Sequence, residues 1–181
     1  MIKRVCVFGS YKSLGKEKEN TVKLGRLLAE KGFEVITGGF GGTMEDISRG
    51  AKEAKGKTIG VTYYKYKNNS KKCNKYVDKE MVTKNIFERI EKMMELSDAF
   101  IILPGGTGTL LELAAVLEHV NKGLSKPKPI IAMGDYWKSV VERLAEESVL
   151  SEEARSVFNA LFVSDLVAFA PTPEETVKLL D

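Results

Sequence analysis

One histidine and two cysteines are all that the 181 residues offer as nitrogen and sulfur metal ligands. Cys6 and Cys73 make no disulfide framework, and no Cys/His spacing resembles a metal site. No metal is therefore expected, and a reduced, cytoplasmic setting is the default. Neither sign of charge dominates. The 28 basic and 25 acidic side chains leave a formal +3, too balanced to mark nucleic acid or an anionic membrane as a bulk partner. Long apolar runs are missing as well: none approaches the roughly 18 to 20 residues of a membrane span. Met1-Ile2-Lys3-Arg4 leads straight into strand-like sequence without the apolar region of a secretion signal. With no repeat, linker or low-complexity block, the chain reads as one domain, residues 1–181, with enough hydrophobic side chains for a sizeable core.

What is present is an alternation of short apolar runs with helical patterns. Val5–Phe8, Phe33–Ile36, Thr58–Thr62, Ala99–Leu103 and Pro129–Met133 read as strands. Apolar residues at helical spacing predict helices over about 18–31, 44–54, 83–96, 109–121, 136–147 and 151–159. Gly32 and Gly56 are placed to close helices, and Asp135 and Ser151 to open them. Thr172-Pro173-Glu174-Glu175 has the pattern of a capping box with proline at the first helical position. Leu161–Val163 and Leu166–Phe169 look like strand material at a sheet edge. Strands alternating with helices predict a doubly wound parallel α/β sheet with helices on both faces. Between 63 and 75, tyrosines mix with lysines, a pattern that can bind single-stranded nucleic acid but reads here as a solvated loop.

The most informative stretch follows the Ala99–Leu103 strand. In Pro104-Gly105-Gly106-Thr107-Gly108-Thr109-Leu110-Leu111-Glu112, three glycines in four residues let the backbone turn and approach a ligand. Thr107 and Thr109 offer hydroxyls beside the first amides of the next helix, which makes an anion cradle. Glu112, one turn into that helix, is an acid that no structural turn requires and that the positive helix end is expected to keep ionised. The first strand exits into Gly9-Ser10, the second into Gly38-Gly39 and on to Gly42-Thr43-Met44, and the fifth into Gly134. In a doubly wound sheet the carboxyl ends of the strands share one edge, so these glycines converge on one crevice. Phosphate is its most economical ligand. A dinucleotide fingerprint needs Gly-x-Gly-x-x-Gly and a later acid, whereas this chain has Gly9-Ser10-Tyr11 and no acid at Ile36-Thr37. A P-loop fails too, because Lys16 is followed by Glu17. What remains is a mononucleotide-sized site with one acid beside the phosphate loop. Its phosphate or nucleotide contacts would come from Gly105, Gly106, Thr107, Gly108 and Thr109, with Gly9, Ser10, Gly38, Gly39, Gly42, Thr43 and Met44 on the neighbouring loops.

Pro104 to Glu112 resembles the Pro-Gly-Gly-x-Gly-Thr-x-x-Glu signature of the Lonely Guy (LOG) family, often labelled "possible lysine decarboxylase". Val5–Ser10 and Thr37–Met44 look like that family's first turn and second glycine loop, so the likeness extends over nearly the whole chain. Arg89 stands in the place of the family's helix arginine, followed by Met93, Glu95, Leu96, Asp98 and Ala99. The resemblance implies a Rossmann-like homodimer that needs no cofactor and binds nucleoside 5′-monophosphates, AMP or cytokinin-type ribotides. It implies hydrolysis of the N-glycosidic bond to free base and ribose 5-phosphate. Glu112 would stabilise the oxocarbenium-like state and orient water, and Arg89 would fix Glu112 or the sugar hydroxyls. The second subunit would pack on the broadly apolar helices around 83–96 and 109–121. The chain departs from the family pattern at Ile90, where lysine is usual, and at Glu45 and Thr37, where glycines are usual. A similar molybdenum-cofactor carrier group binds without hydrolysing, which makes a non-catalytic carrier the alternative. Decarboxylase chemistry is not expected, because no lysine is placed to form a supported Schiff base.

Overall fold

The computed structural model describes residues 1–13, 15–64, 73–126, 128–145, 149–159 and 162–181. Strands β1 (Arg4–Phe8), β2 (Glu34–Thr37), β3 (Thr58–Tyr63), β4 (Lys79–Thr83), β5 (Ala99–Ile102), β6 (Ile130–Met133) and β7 (Val167–Ala170) form one sheet in the order β4-β3-β2-β1-β5-β6-β7. Every neighbouring pair is parallel. Around it lie helices α1 (Gly15–Glu30), α2 (Thr43–Glu53), α3 (Ile86–Leu96), α4 (Thr107–Asn121), α5 (Lys138–Ala145), α6 (Glu152–Phe158) and α7 (Pro173–Lys178). The expected doubly wound α/β architecture is what forms.

Period-two alternation in the central strands divides the core. Cys6, Phe8, Phe100 and Ile102 face the side covered by α3 and α4. Val5, Val7, Ala99 and Ile101 face the side packed by α1, α2 and α7. From Val5 to Phe8 and from Ala99 to Ile102 no side chain is more than 2% exposed, which is why both runs are continuously apolar. The chain leaves β1 towards β2 on one side of the sheet and returns to β5 on the other, so the strand order reverses between β1 and β5. That reversal opens a crevice beyond their carboxyl ends.

Several expectations are corrected. β4 was not anticipated from the sequence; charged Lys79 and Glu80 blur its pattern because it is the exposed edge strand. The helix expected from Thr83 begins at Ile86, after Asn85 accepts hydrogen bonds from the amides of Phe87 and Glu88. Val163–Leu166 winds into a 3₁₀ turn, and Phe162 makes only a single bridge to Val149. Past α2 the left-handed residue is Lys55, at φ 61°, and Gly56 serves instead to let Ala29 approach. The lysine-rich stretch 65–72 and Leu161 lie outside the described residues.

α1 and α2 touch through backbone at two glycines that sequence periodicity does not single out. A Cβ on Gly25 would lie 2.2 Å from the Ile47 carbonyl oxygen, and one on Gly50 would lie 1.9 Å from the Val22 carbonyl oxygen. Neither neighbour is a flexible side-chain end, so the helices themselves would have to separate. Gly50→Ala is expected to destabilise the fold by about 2 kcal/mol or more despite the better helix propensity of alanine. A lowered urea midpoint measures this.

Candidate active site at the switch point

The loop after β5 is fixed before the glycines begin. The Leu103 amide donates to the Phe8 carbonyl at 2.9 Å, and Trp137 Nε1 donates to the Leu103 carbonyl at 2.8 Å. Gly105 is required by a close approach, because a Cβ there would sit 2.2 Å from Thr109 Oγ1. Thr109 is accordingly buried against Gly105, whereas Gly106, Thr107 and Gly108 are exposed. Among the described residues beyond the adjoining backbone, nothing lies within 4 Å of a Cβ placed on Gly106 or Gly108. Gly106 caps α4 without a side-chain hydrogen bond, leaving the first amides of the helix to a ligand or solvent.

One turn further, Glu112 turns inward. Its Oε1 lies 3.2 Å from Arg89 Nη1, and both side chains are 8% exposed. Arg89 is held on all sides. Its Nε donates to the Val61 carbonyl at 2.8 Å, and its Nη2 lies 3.9 Å from Met44 Sδ. The Phe40 and Tyr63 rings flank it with centroids 5.8 and 6.0 Å from Cζ. Gly38 makes room: a Cβ there would fall 1.6 Å from Arg89 Nη2 and 2.7 Å from Met44 Sδ. Gly38→Ala is therefore expected to push the guanidinium off Glu112 and to lower any activity of the pair about tenfold or more. A turnover assay beside a melting curve separates this from unfolding.

Burial pushes the Glu112 carboxyl up to about 7, although Arg89 beside it pulls the other way. The expectation that the helix end keeps this acid ionised is thereby corrected. The helix end supplies about half a charge, which does not offset the loss of water around a carboxylate only 6% exposed.

The other loop residues proposed for phosphate make contacts within the protein. Thr43 donates from both its amide and its hydroxyl to the Ser10 carbonyl, each at 2.9 Å. A Cβ on Gly9 would strike that Thr43 hydroxyl at 2.4 Å, and Ser10 Oγ accepts from the Lys12 amide. Gly42, at φ 69°, lets the backbone of Tyr11 pass close by. Thr37 Oγ1 accepts the Gly39 amide at 3.1 Å and so shapes the turn, while Gly39 itself has φ 76°. His119, the only histidine, lies 3.1 Å from the Ala115 carbonyl on its own helix.

Phe40, Tyr63 and the Val61 carbonyl were not legible as site groups, since they act on Arg89 and only the fold brings them there. Phe40, inside a glycine loop, carried the one available hint. A separate cleft of about 520 Å³ lies between α1 and the first turns of α2; Glu45 and Arg49 line it, and Arg89 and Glu112 do not.

A parallel sheet whose strand order reverses between β1 and β5, with helices on both faces, defines a Rossmann-like α/β protein. The chain belongs to the LOG family: the profile described as "possible lysine decarboxylase" matches residues 44–170. It is 30% identical to a probable cytokinin riboside 5′-monophosphate phosphoribohydrolase, LOGL6, of Oryza sativa subsp. japonica, covering 99% of this chain and 70% of the relative. It is also 30% identical to the cytokinin riboside 5′-monophosphate phosphoribohydrolase LOG3 of Arabidopsis thaliana, over 99% and 82%. Among solved structures, the molybdenum cofactor binding protein of Rippkaea orientalis superposes with a TM-score of 0.70 at 29% identity, over 98% of this chain and 93% of that one. The molybdenum cofactor carrier protein of Chlamydomonas reinhardtii shares the fold, with a TM-score of 0.71 at 20% identity over 99% and 96%.

Proposed function

We propose that this protein hydrolyses the N-glycosidic bond of nucleoside 5′-monophosphates. The observation that carries the reading is the buried Arg89–Glu112 pair, one helical turn from exposed amides suited to a phosphate. The phosphate sits at Gly106, Thr107 and Gly108, which brings the ribose towards Glu112. As the bond from C1′ to the base nitrogen breaks, its electron pair leaves with the base and positive charge gathers on the sugar. The Glu112 carboxylate stabilises that charge and takes a proton from the water that bonds to C1′; the departing base takes up a proton, giving free base and ribose 5-phosphate. Arg89 orients Glu112 and favours its ionised form. The activities for which the Oryza and Arabidopsis relatives are named support this reading.

A non-catalytic carrier is the second reading, favoured by the 29% identity to the Rippkaea protein. Incubation with AMP, GMP and a cytokinin-type ribotide, followed by chromatography for free base, separates the two. Release of base supports the hydrolase. No release, with a melting temperature raised by ribotide, supports the carrier.

The working unit is proposed to be a homodimer. Phe87 on α3 and Leu110 on α4 are 70% and 40% exposed, an apolar surface suited to a second copy. Light scattering at twice the chain mass is the expected result. No helix among the described residues is long and apolar enough to cross a membrane.

A further inference from the structure

The cleft between α1 and α2 adjoins the Arg89 site without belonging to it. Met44, in the first turn of α2, touches Arg89, and the next residue, Glu45, lines the cleft. Among the described residues the Glu45 carboxylate has no hydrogen-bond or ion-pair partner. Arg49 follows one turn later on the same helix and also lines the cleft. Among the described residues its Nε is buried without a hydrogen-bond partner, and its Nη2 stands 3.5 Å from Asp46, longer than a good charged hydrogen bond. Ser13 Oγ is likewise buried, with no partner among the described residues. Tyr11 and Tyr76 supply ring surface to the same walls. At about 520 Å³ the cleft is of ordinary size for a small-molecule site.

A carboxylate with no partner among the described residues, one turn from a guanidinium that only Asp46 holds, at 3.5 Å, suits a particular heterocycle. The Watson–Crick edge of guanine presents two adjacent N–H donors, at N1 and the 2-amino group, beside the O6 acceptor. A carboxylate accepts from the donor pair, and arginine donates to O6. Adenine offers a ring acceptor in place of the N1 donor and an amino group in place of O6, so both protein groups would meet the wrong partner. We propose that this cleft reads the base of the ribotide and selects guanine, with Glu45 accepting its N–H pair and Arg49 donating to its carbonyl. Lys12 and Lys18 at the cleft provide positive charge without reading that edge.

This assignment rests on the ribotide reading above and narrows it to guanine nucleotides. The test is calorimetric titration of the Glu112→Gln protein, chosen because it turns ligands over slowly, with GMP and with AMP. GMP is expected to bind about tenfold or more tightly than AMP. Adding Glu45→Gln is expected to bring the two affinities within about threefold, since an amide serves either edge, with the melting temperature of the free protein unchanged. AMP binding as tightly as GMP overturns the guanine assignment and leaves the ribotide site standing. A guanine preference that survives Glu45→Gln overturns it as well. Binding of neither nucleotide overturns both readings.

Discussion

Glu112→Gln releases base from a ribotide at least about 10²-fold more slowly than the wild type, the loss typical when a positioned base is removed. Above pH 7 it also melts at a higher temperature than the wild type. The two effects have one cause. Burial raises the Glu112 carboxyl from 4.5 to about 7, with Arg89 only partly opposing the rise. Below pH 4.5 the group is protonated in the folded and unfolded chain alike. Between 4.5 and 7 the folded chain holds a proton that the unfolded chain releases, so stability falls as pH rises, by about 3 kcal/mol in all for a fully buried group. Glutamine resembles the protonated form and escapes that loss. Melting temperatures of both proteins from pH 4 to 9 should therefore diverge as pH approaches 7. In the wild type, kcat/KM should climb through an acid limb near pH 7 as the carboxylate forms. A rate independent of pH between 5 and 8, or a glutamine variant of wild-type rate, would remove Glu112 from the chemistry.

Arg89→Ala acts in the opposite direction on stability. It leaves a buried carboxylate without a counter-ion and empties a space beside the Phe40 and Tyr63 rings, so a loss of about 3 kcal/mol or more is expected at pH 8. Arg89 supplies both influences that lower the Glu112 carboxyl, its charge and its hydrogen bond, so without it the acid limb of kcat/KM moves to higher pH. Lysine is a poor substitute, because an ammonium cannot donate as a planar fork to the Val61 carbonyl and to Glu112 while lying against two aromatic rings. Arg89→Lys should recover part of the stability and little of the rate. Urea unfolding at pH 5 and 8, beside the pH–rate profile, measures both: a structural role alone changes the unfolding midpoint and leaves the limb in place.

Much of the fold was readable because it is written in local pattern. The continuous apolar run Ala99–Leu103 marks a strand covered on both faces, and the helix after Pro171 begins with Thr172 accepting the Glu175 amide. β4 escaped because an edge strand exposes its charges and loses the alternation that announces a strand. The cleft at Glu45 and Arg49 escaped for another reason: charged residues on a helix look solvated until a second helix is set beside them.

The sequence by itself determined the alternation of strands and helices, the glycine loops at their ends, and Glu112 beside the phosphate loop, while Arg89 was singled out by the resemblance to the LOG family. Those features depend on backbone freedom and on periodicity within a few residues, which a linear reading can see. Only the tertiary structure decided that Arg89 reaches Glu112 across 23 positions of chain, that Gly38 leaves it room, and that Glu112 holds its proton to near neutrality. A side chain's charge and its partners follow from how much water the fold removes around it and from which distant groups replace that water.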